Sequence, residues 1–486
     1  MNRELLANIL GKCLSALMML VSLPFLIDAI GPNGYAIVGL FAAVQSVLML
    51  LDGGISAAYT KNISNSYSRG DNLLTSALMK QYFITFLKVS FLLFFVSLVL
   101  FTYFASSYSD SLSKINIIMS ASLSLIFLQI YYQATLCGTG YQIRFNKLYI
   151  SFSIIRYPVA TFIVLHFDLN VFAYFLIFFI ANIIYTGVLQ LVVKNKFVHY
   201  HGQYNGMFEI NENANVKDKS FKNKMLFLVI MSSLCFQSDK LILAKFVSSE
   251  ILGYYSLAFT IASFPMIFTS AFYYYLFPKL VVLKASNQMQ RYEAEITKNS
   301  LIMMIGITSI CIYAAAYSKY VLLLFFGNEV LAREVSEILK YLILGSLIQG
   351  VLMIPYCAQL AFGRISYLVK VNVFLGMVMI AAQIYAASYL TPIDVAKCWL
   401  AYNIFTLVVI FFNLENITGI ESKFKWIALG TFLPILICVL TLLVAHFLLN
   451  LLSNVNELLI IVPSGIASLL LITTYAFYMM RHIDEK

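Results

Sequence analysis

Charge is scarce in this chain. Asp, Glu, Lys and Arg make up 11% of its 486 residues, where a soluble domain carries about 25%. With 61% of residues hydrophobic and a mean hydropathy of +0.86, so much apolar surface has no soluble way to be buried. The usual signatures of chemistry are also missing. No G-x-x-x-x-G-K-[ST] is present, which excludes ATP hydrolysis through a phosphate-binding loop, and neither H-E-x-x-H nor G-x-S-x-G occurs. The seven cysteines, Cys13, Cys137, Cys235, Cys311, Cys357, Cys398 and Cys438, are scattered and form no C-x-x-C. Neither a disulfide framework nor a zinc site is supported. A cleavable leader is not expected either: residues 1–30 hold an apolar run of spanning length, and Asp28-Ala29-Ile30 is a poor cleavage site.

What fills the chain instead is apolar sequence in lengths that suit a bilayer. A spanning helix needs about 20 mostly apolar residues. Such runs occur at about 8–30, 35–61, 77–105, 115–137, 148–167, 171–193, 225–247, 253–278, 299–326, 338–361, 367–389, 394–414, 426–449 and 457–480. The 40 Phe and 32 Tyr suit a lipid-facing surface with aromatic belts. The chain therefore reads as an all-α integral membrane protein with about 14 transmembrane helices.

Charge distribution then orients it. The net charge of +10 is not a nucleic-acid footprint. The connections after odd-numbered runs are short and carry Asp110, Asp168, Glu250, Glu329, Glu334, Glu337, Asp394 and Glu457. The alternate connections hold most of the basic residues, among them Lys61, Arg69, Lys80, Arg144, Lys147, Lys279, Lys284, Arg291, Lys298, Arg364, Lys370, Lys423 and Lys425. The positive-inside rule places the basic side, and with it both termini, in the cytoplasm. Short loops on the other side leave no room for a large extracytoplasmic catalytic domain, so the chain is not expected to be an enzyme.

Two stretches organise the whole. Gln237–Phe259 ends one apolar run, turns and opens the next with Gly253-Tyr254-Tyr255, and Pro24–Leu40 repeats that pattern around Gly34-Tyr35. Aligning the two dipeptides brings the flanking runs into register, which suggests two similar halves. The expected divisions are an N-terminal lobe over 1–193, a cytoplasmic linker over 194–224, a C-terminal lobe over 225–416 and the extra helices over 417–486. Paired structural repeats of this kind are common in transporters, which bind substrate between them. His199 and His201 in the polar linker have no carboxylate or cysteine at ligand spacing, so no metal is expected.

Ionisable groups at mid-membrane depth cost several kcal/mol unless they face a polar cavity or a partner. Lys12 lies near the cytoplasmic end of the first run, where a long stem can also snorkel to the interface. Lys88 is about halfway along the third. Arg156 is near the middle of the fifth, beside Pro158, which weakens or kinks a helix. Asp239 and Lys240 lie side by side in the seventh run, about 100° apart on a helix, so they need not pair. Lys245 reads as an interfacial anchor. Asp52 precedes Gly53-Gly54 in the second run and can pair with a cation, bind an ion or cap a break. Gln45, Gln129, Gln133, Asn182, Gln349 and Gln383 read mostly as interhelical hydrogen bonds. Four deep cations, Lys12, Lys88, Arg156 and Lys240, against two deep acids, Asp52 and Asp239, suit an anionic substrate such as a diphosphate.

The stretch D-K-L-I-L-A-K-F, a short turn and G-Y-Y-S-L-A resembles the oligosaccharide (O-antigen/polysaccharide) flippases of the multidrug/oligosaccharidyl-lipid/polysaccharide (MOP) flippase superfamily, as does P-F-L-I-D-A-I-G-P-N-G-Y near the start. The resemblance implies two pseudo-symmetric six-helix lobes, here plus two C-terminal helices, around a V-shaped cavity, and alternating access. It implies movement of undecaprenyl-diphosphate-linked oligosaccharide units, of O-antigen or capsule type, from the cytoplasmic to the outer leaflet of a bacterial inner membrane. It further implies a polysaccharide polymerase and a chain-length regulator as partners, no cofactor beyond a coupling ion (H+ or Na+), and substrate-binding roles for Lys12, Lys88, Arg156 and Lys240. Asp52 and Asp239 would be ion-coupling or structural. Many members have twelve helices; fourteen is shared with lipid II flippases of the same superfamily. The alternatives are a cation-coupled drug exporter of the same fold, for which the excess of deep basic residues is wrong, and a membrane glycosyltransferase or polymerase, for which the outside loops are too short.

Overall fold

In hydrocarbon a backbone N–H or C=O has no water to bond, so a lone apolar segment satisfies itself only as a helix. The computed structural model describes residues 3–52, 55–105, 111–196, 234–362, 365–414, 426–451 and 457–484, and among them there is no strand. Twelve helices among the described residues are long and apolar enough to cross a membrane, which makes this a multi-pass membrane protein.

By packing, the chain divides into two compact units, Met1–Gly253 and Tyr254–Lys486. Unit 1 holds α1 (Arg3–Leu48), α2 (Ile55–Ser68), α3 (Asn72–Ala105), α4 (Ser111–Gly138), α5 (Gln142–Ile154), α6 (Ala160–His166), α7 (Val171–Lys196) and α8 over 234–246. The element α9 (Ser249–Ala285) begins at its end and continues into unit 2. Unit 2 adds α10 (Met289–Ala316), α11 (Ser318–Phe326), α12 (Glu329–Phe362), α13 (Ile365–Tyr389), α14 (Pro392–Phe412), α15 (Leu433–Leu451) and α16 (Leu458–Asp484).

The apolar runs map onto these elements unevenly, and backbone chemistry explains the differences. The first two runs share α1, parted by Gly31 at φ 67° and ψ 174°, a conformation only glycine adopts without strain. The second run, expected to continue to 61, stops at Leu48. A short 3-10 turn, Met49–Asp52, follows, and a new helix starts at Ile55. The ninth run is two helices, α10 and α11, because the chain bends at Tyr317; Gly327, at φ 64°, then closes α11. Of the seventh run only 234–247 lies within the described residues, and His199 and His201 lie outside them.

In unit 1, α4 is the central post, packed on α3, α7 and α2, while α5 packs on α1. Polar side chains bolt these helices together. Gln129 Nε2 donates to Asn182 Oδ1 at 3.0 Å and to Thr186 Oγ1 at 3.1 Å, joining α4 to α7. The Ser15 and Ser153 hydroxyls meet at 2.8 Å, joining α1 to α5. Tyr59 stacks on Tyr82 and Tyr131, and its hydroxyl meets that of Thr135 at 2.9 Å. The grouping expected from sequence starts a second lobe at 225, whereas the packing boundary falls at Gly253. Three contacts hold the intervening residues in unit 1. Lys245 Nζ lies 3.9 Å from the Tyr103 ring centroid. Ser249 Oγ donates to Asn33 Oδ1 at 2.6 Å. Gly253 is pressed against the Pro32 carbonyl so closely that a Cβ would collide with it.

In unit 2, α12 packs on α10 and α14, and the pair α15–α16 packs on α10. Trp426, fully buried, donates from Nε1 to Ser300 Oγ at 2.7 Å, and the Ser309 and Ser468 hydroxyls meet at 3.0 Å. The ion pair Lys279–Glu295, at 2.7 Å, ties α9 to α10, and Lys284 Nζ donates to the Ala361 carbonyl at 3.2 Å near the end of α12.

Candidate functional site

The site is built where the helical ladder is interrupted. Pro158 has no N–H to give, and in a regular helix its ring would meet the carbonyl four residues back, that of Ile154. The chain answers with a π-helical turn, Ile155–Val159, in which the Ala160 N–H reaches back five residues to the Ile155 carbonyl. Widened turns of this kind are rare and often mark functional positions. The phase beyond the turn is held by α6, whose Ala160, Thr161 and Val164 are buried.

Arg156 projects from this widened turn. Its guanidinium carbon lies 4.5 Å from the ring centroid of Phe178 on α7 and 5.2 Å from that of Tyr157. Tyr174 is close enough to feel the charge directly. Phe178, Tyr174 and the nearby Tyr185 are buried, Tyr185 by stacking on Phe152 at 4.2 Å between centroids. The aromatic faces supply attraction to the cation without neutralising it. Arg156 Nε is buried with no hydrogen-bond partner, and among the described residues no carboxylate pairs with the guanidinium. A buried, unpaired donor costs free energy until something accepts from it. The arrangement is therefore poised to bind an anion.

The structure does not bring Lys88, Lys240, Asp239 or Asp52 into contact with Arg156, and the Lys12 side chain lies outside the described ones. Lys12 is a residue of α1, beside Gly11, which packs against Asn146 of α5. Lys88, midway along α3, is exposed on a face shared with Leu87, Phe91 and Phe95, which are 47%, 65% and 49% exposed. That face is apolar, and α3 packs mainly on α4 rather than on α5 or α7. Helical side chains lean toward the N-terminus, so Lys88 leans toward Thr85 and Gln81, the polar residues one and two turns back. Lys240 and Asp239 on α8 are buried at 3% and 2% exposure. The Lys240 backbone N–H donates to Asp239 Oδ1 at 2.7 Å, and the two side chains feel each other's charge. Asp52 accepts from Ser56 twice, at Oδ1 from the backbone N–H (3.0 Å) and at Oδ2 from the hydroxyl (2.7 Å), which ties it to the first turn of α2. Of the neutral candidates, Gln129 and Asn182 bond each other, while Gln349 Oε1 is buried without a partner.

The aromatic surround of Arg156 is what sequence reasoning missed. The signal available was the π-turn's proline; the rings of Tyr157, Tyr174 and Phe178 are indistinguishable in sequence from the many others.

A family model described as polysaccharide biosynthesis protein matches residues 2–284. No curated protein sequence matches the chain. Among solved structures, a multidrug resistance MATE family transporter of the MOP superfamily, inward-facing, aligns with TM-score 0.66 at 13% identity, covering 87% of this chain and 96% of that one. The lipid II flippase MurJ in an inward closed conformation aligns with TM-score 0.62 at 17% identity, covering 98% of both chains. A MOP superfamily transporter from Pyrococcus furiosus, whose description reports a binding pocket of reversed polarity, aligns with TM-score 0.57 at 13% identity over 86% of this chain and 96% of that one. The fold is thus that of the MOP superfamily.

Proposed function

The chain belongs to the polysaccharide biosynthesis protein family, and from that premise we propose that it is a flippase for lipid-linked oligosaccharide units of O-antigen or capsule type. In this reading it carries an undecaprenyl-diphosphate-linked unit from the cytoplasmic to the outer leaflet of a bacterial inner membrane by alternating access. Both termini are cytoplasmic, and a polymerase and a chain-length regulator act downstream.

The observation that carries the reading is Arg156: a permanently charged, unpaired fork set against Phe178 and Tyr157 in the middle of a spanning segment. Guanidinium matches a phosphate with two parallel hydrogen bonds. A diphosphate crossing the bilayer must exchange its water for such donors. The aromatic rings hold the guanidinium in place without a carboxylate that would compete for it. Lys240 contributes less, because Asp239 beside it offsets part of its charge. Lys12 and Lys88 serve earlier or later stages of the passage. Asp52 is structural, holding the start of α2. A proton or sodium gradient supplies direction.

Support also comes from the fold, which a lipid II flippase shares. The drug-exporter reading is disfavoured because an unpaired arginine repels cationic drugs. The test is reconstitution in vesicles with a fluorescent polyprenyl-diphosphate oligosaccharide and a membrane-impermeant quencher. Arg156→Ala is expected to abolish translocation while the protein remains folded, as judged by its elution and melting. Translocation at the wild-type rate by Arg156→Ala would remove the residue from the path.

A further inference from the structure

The end of unit 1 that carries its arginines and lysines holds a second group of unneutralised cations, away from Arg156. Arg144 and Lys147 project from the first turns of α5, Lys194 and Lys196 from the last turn of α7, and Arg69 follows α2; all five are exposed. Two of them, Lys196 and Arg144, act directly on one aromatic residue, Tyr141. Tyr141, the residue before α5, is fixed by a tight turn in which its N–H donates to the Leu136 carbonyl at 2.7 Å and Gly140 takes φ 84°. Lys196 Nζ lies 4.7 Å from the Tyr141 ring centroid, and Tyr67 hydrogen-bonds the Tyr141 phenol. Among the described residues none of the five cations is paired with a carboxylate.

Two physical facts bear on this cluster. Like charges that share a surface repel one another, and an anion among them relieves that repulsion. Tyrosine rings beside basic residues at a helix end sit at the depth of lipid headgroups. The Tyr141 phenol is itself drawn below the ordinary tyrosine range, first by its bond to Tyr67 and then by Lys196 and Arg144, so the local field favours negative charge.

We propose that Tyr141, Arg144, Lys147, Lys194 and Lys196 form a docking site for the diphosphate of the lipid-linked substrate, at which the head group is held before it passes to Arg156. This inference rests on the flippase reading above. Continuity selects the substrate over a bulk phospholipid. The helices that carry the cluster, α5 and α7, also carry Arg156 on its π-turn and Phe178 beneath it. From Arg144 to Arg156 is twelve residues, about 18 Å at 1.5 Å per residue. A phosphate group leaving the first station meets the second along the one helical segment, Gln142–His166, that carries both arginines, with the lipid tail remaining in the bilayer.

The test uses the full chain in phosphatidylcholine vesicles with a diazirine-bearing farnesyl diphosphate, photolysed and mapped by peptide mass. The wild type should label two peptides, one around 141–147 or 194–196 and one around 150–160. Arg144→Gln with Lys196→Gln should lower labelling of the first at least five-fold and of the second as well. Arg144→Lys with Lys196→Arg, which keeps the charges, should restore both and show that the fold is intact. Arg156→Gln should lower only the second. Unchanged labelling of the first peptide in the double glutamine variant overturns the docking site. So does equal suppression by added phosphatidylglycerol, which would make it a general phospholipid contact. Labelling of the first peptide that is lost in the double glutamine variant, with none of the second even in wild type, upholds the docking site and sinks the role given to Arg156.

Discussion

Replacing Arg156 by lysine separates geometry from charge. Lysine keeps one positive charge but gives up the planar fork. In the structure the fork is held flat by Phe178 at 4.5 Å and Tyr157 at 5.2 Å, with Nε buried and unpartnered. If two parallel bonds reach the diphosphate, lysine retains one. A hydrogen bond to a charged group contributes about 1.5–3 kcal/mol. At 1.4 kcal/mol per decade, the lost bond weakens binding roughly 10- to 150-fold. The lysine side chain also loses stacking on Phe178, which adds to the loss, so the upper half of that range is the expected result. Arg156→Gln, with no charge, should fall further. The assay is equilibrium binding of a labelled polyprenyl diphosphate to purified protein, with melting temperature measured in parallel. Equal affinity for wild type and Arg156→Lys, with loss in Arg156→Gln, would show that charge alone acts and would refute the bidentate argument. Equal affinity in all three would refute any contact.

Gly253→Ala places a Cβ against the Pro32 carbonyl, a backbone atom with nowhere to go, and should destabilise the protein by about 1–3 kcal/mol; an unchanged melting temperature would deny that contact. Asp52→Ala removes both bonds to Ser56 and should cost about 0.5–2 kcal/mol, with Asp52→Asn losing less. If Asp52→Ala melts as the wild type does but loses sodium- or proton-dependence of transport, the carboxylate is a coupling site instead. Cysteines introduced one at a time at 327–337 should react with an impermeant reagent from outside and those at 194–224 should not; the reverse would invert the topology.

Hydropathy located helices well wherever the chain crosses in one piece. The run 77–105 is α3, 171–193 is α7 and 394–414 is α14, each within a few residues. It separated the first two runs where Gly31 bends the chain, but it failed at the bend inside the ninth run, because a bend at Tyr317 changes no side-chain polarity. Arg156 was legible for the opposite reason: a lone cation beside a proline in an apolar run has few structural explanations. Lys88 shows the limit. Depth along a helix follows from residue number, but direction around it follows only from an amphipathic pattern. The sequence of α3 is apolar on every side, so nothing in it distinguished a cavity from the apolar face on which Lys88 lies. The rings around Arg156 were hidden by abundance, since 40 Phe and 32 Tyr make no single one conspicuous.

The π-turn at Ile155–Val159 also constrains how this protein can diverge. A π-turn is an α-helix with one residue too many, so a single-codon deletion would close it. The closing would swing the rest of the segment by about 100° and carry Ala160, Thr161 and Val164 out of their buried positions. Descent by small steps therefore cannot slide the arginine along the helix or undo the turn without losing the packing beyond it. Inherited variation should therefore spare the length of this segment and fall on its exposed positions, such as Ile154 and Phe162.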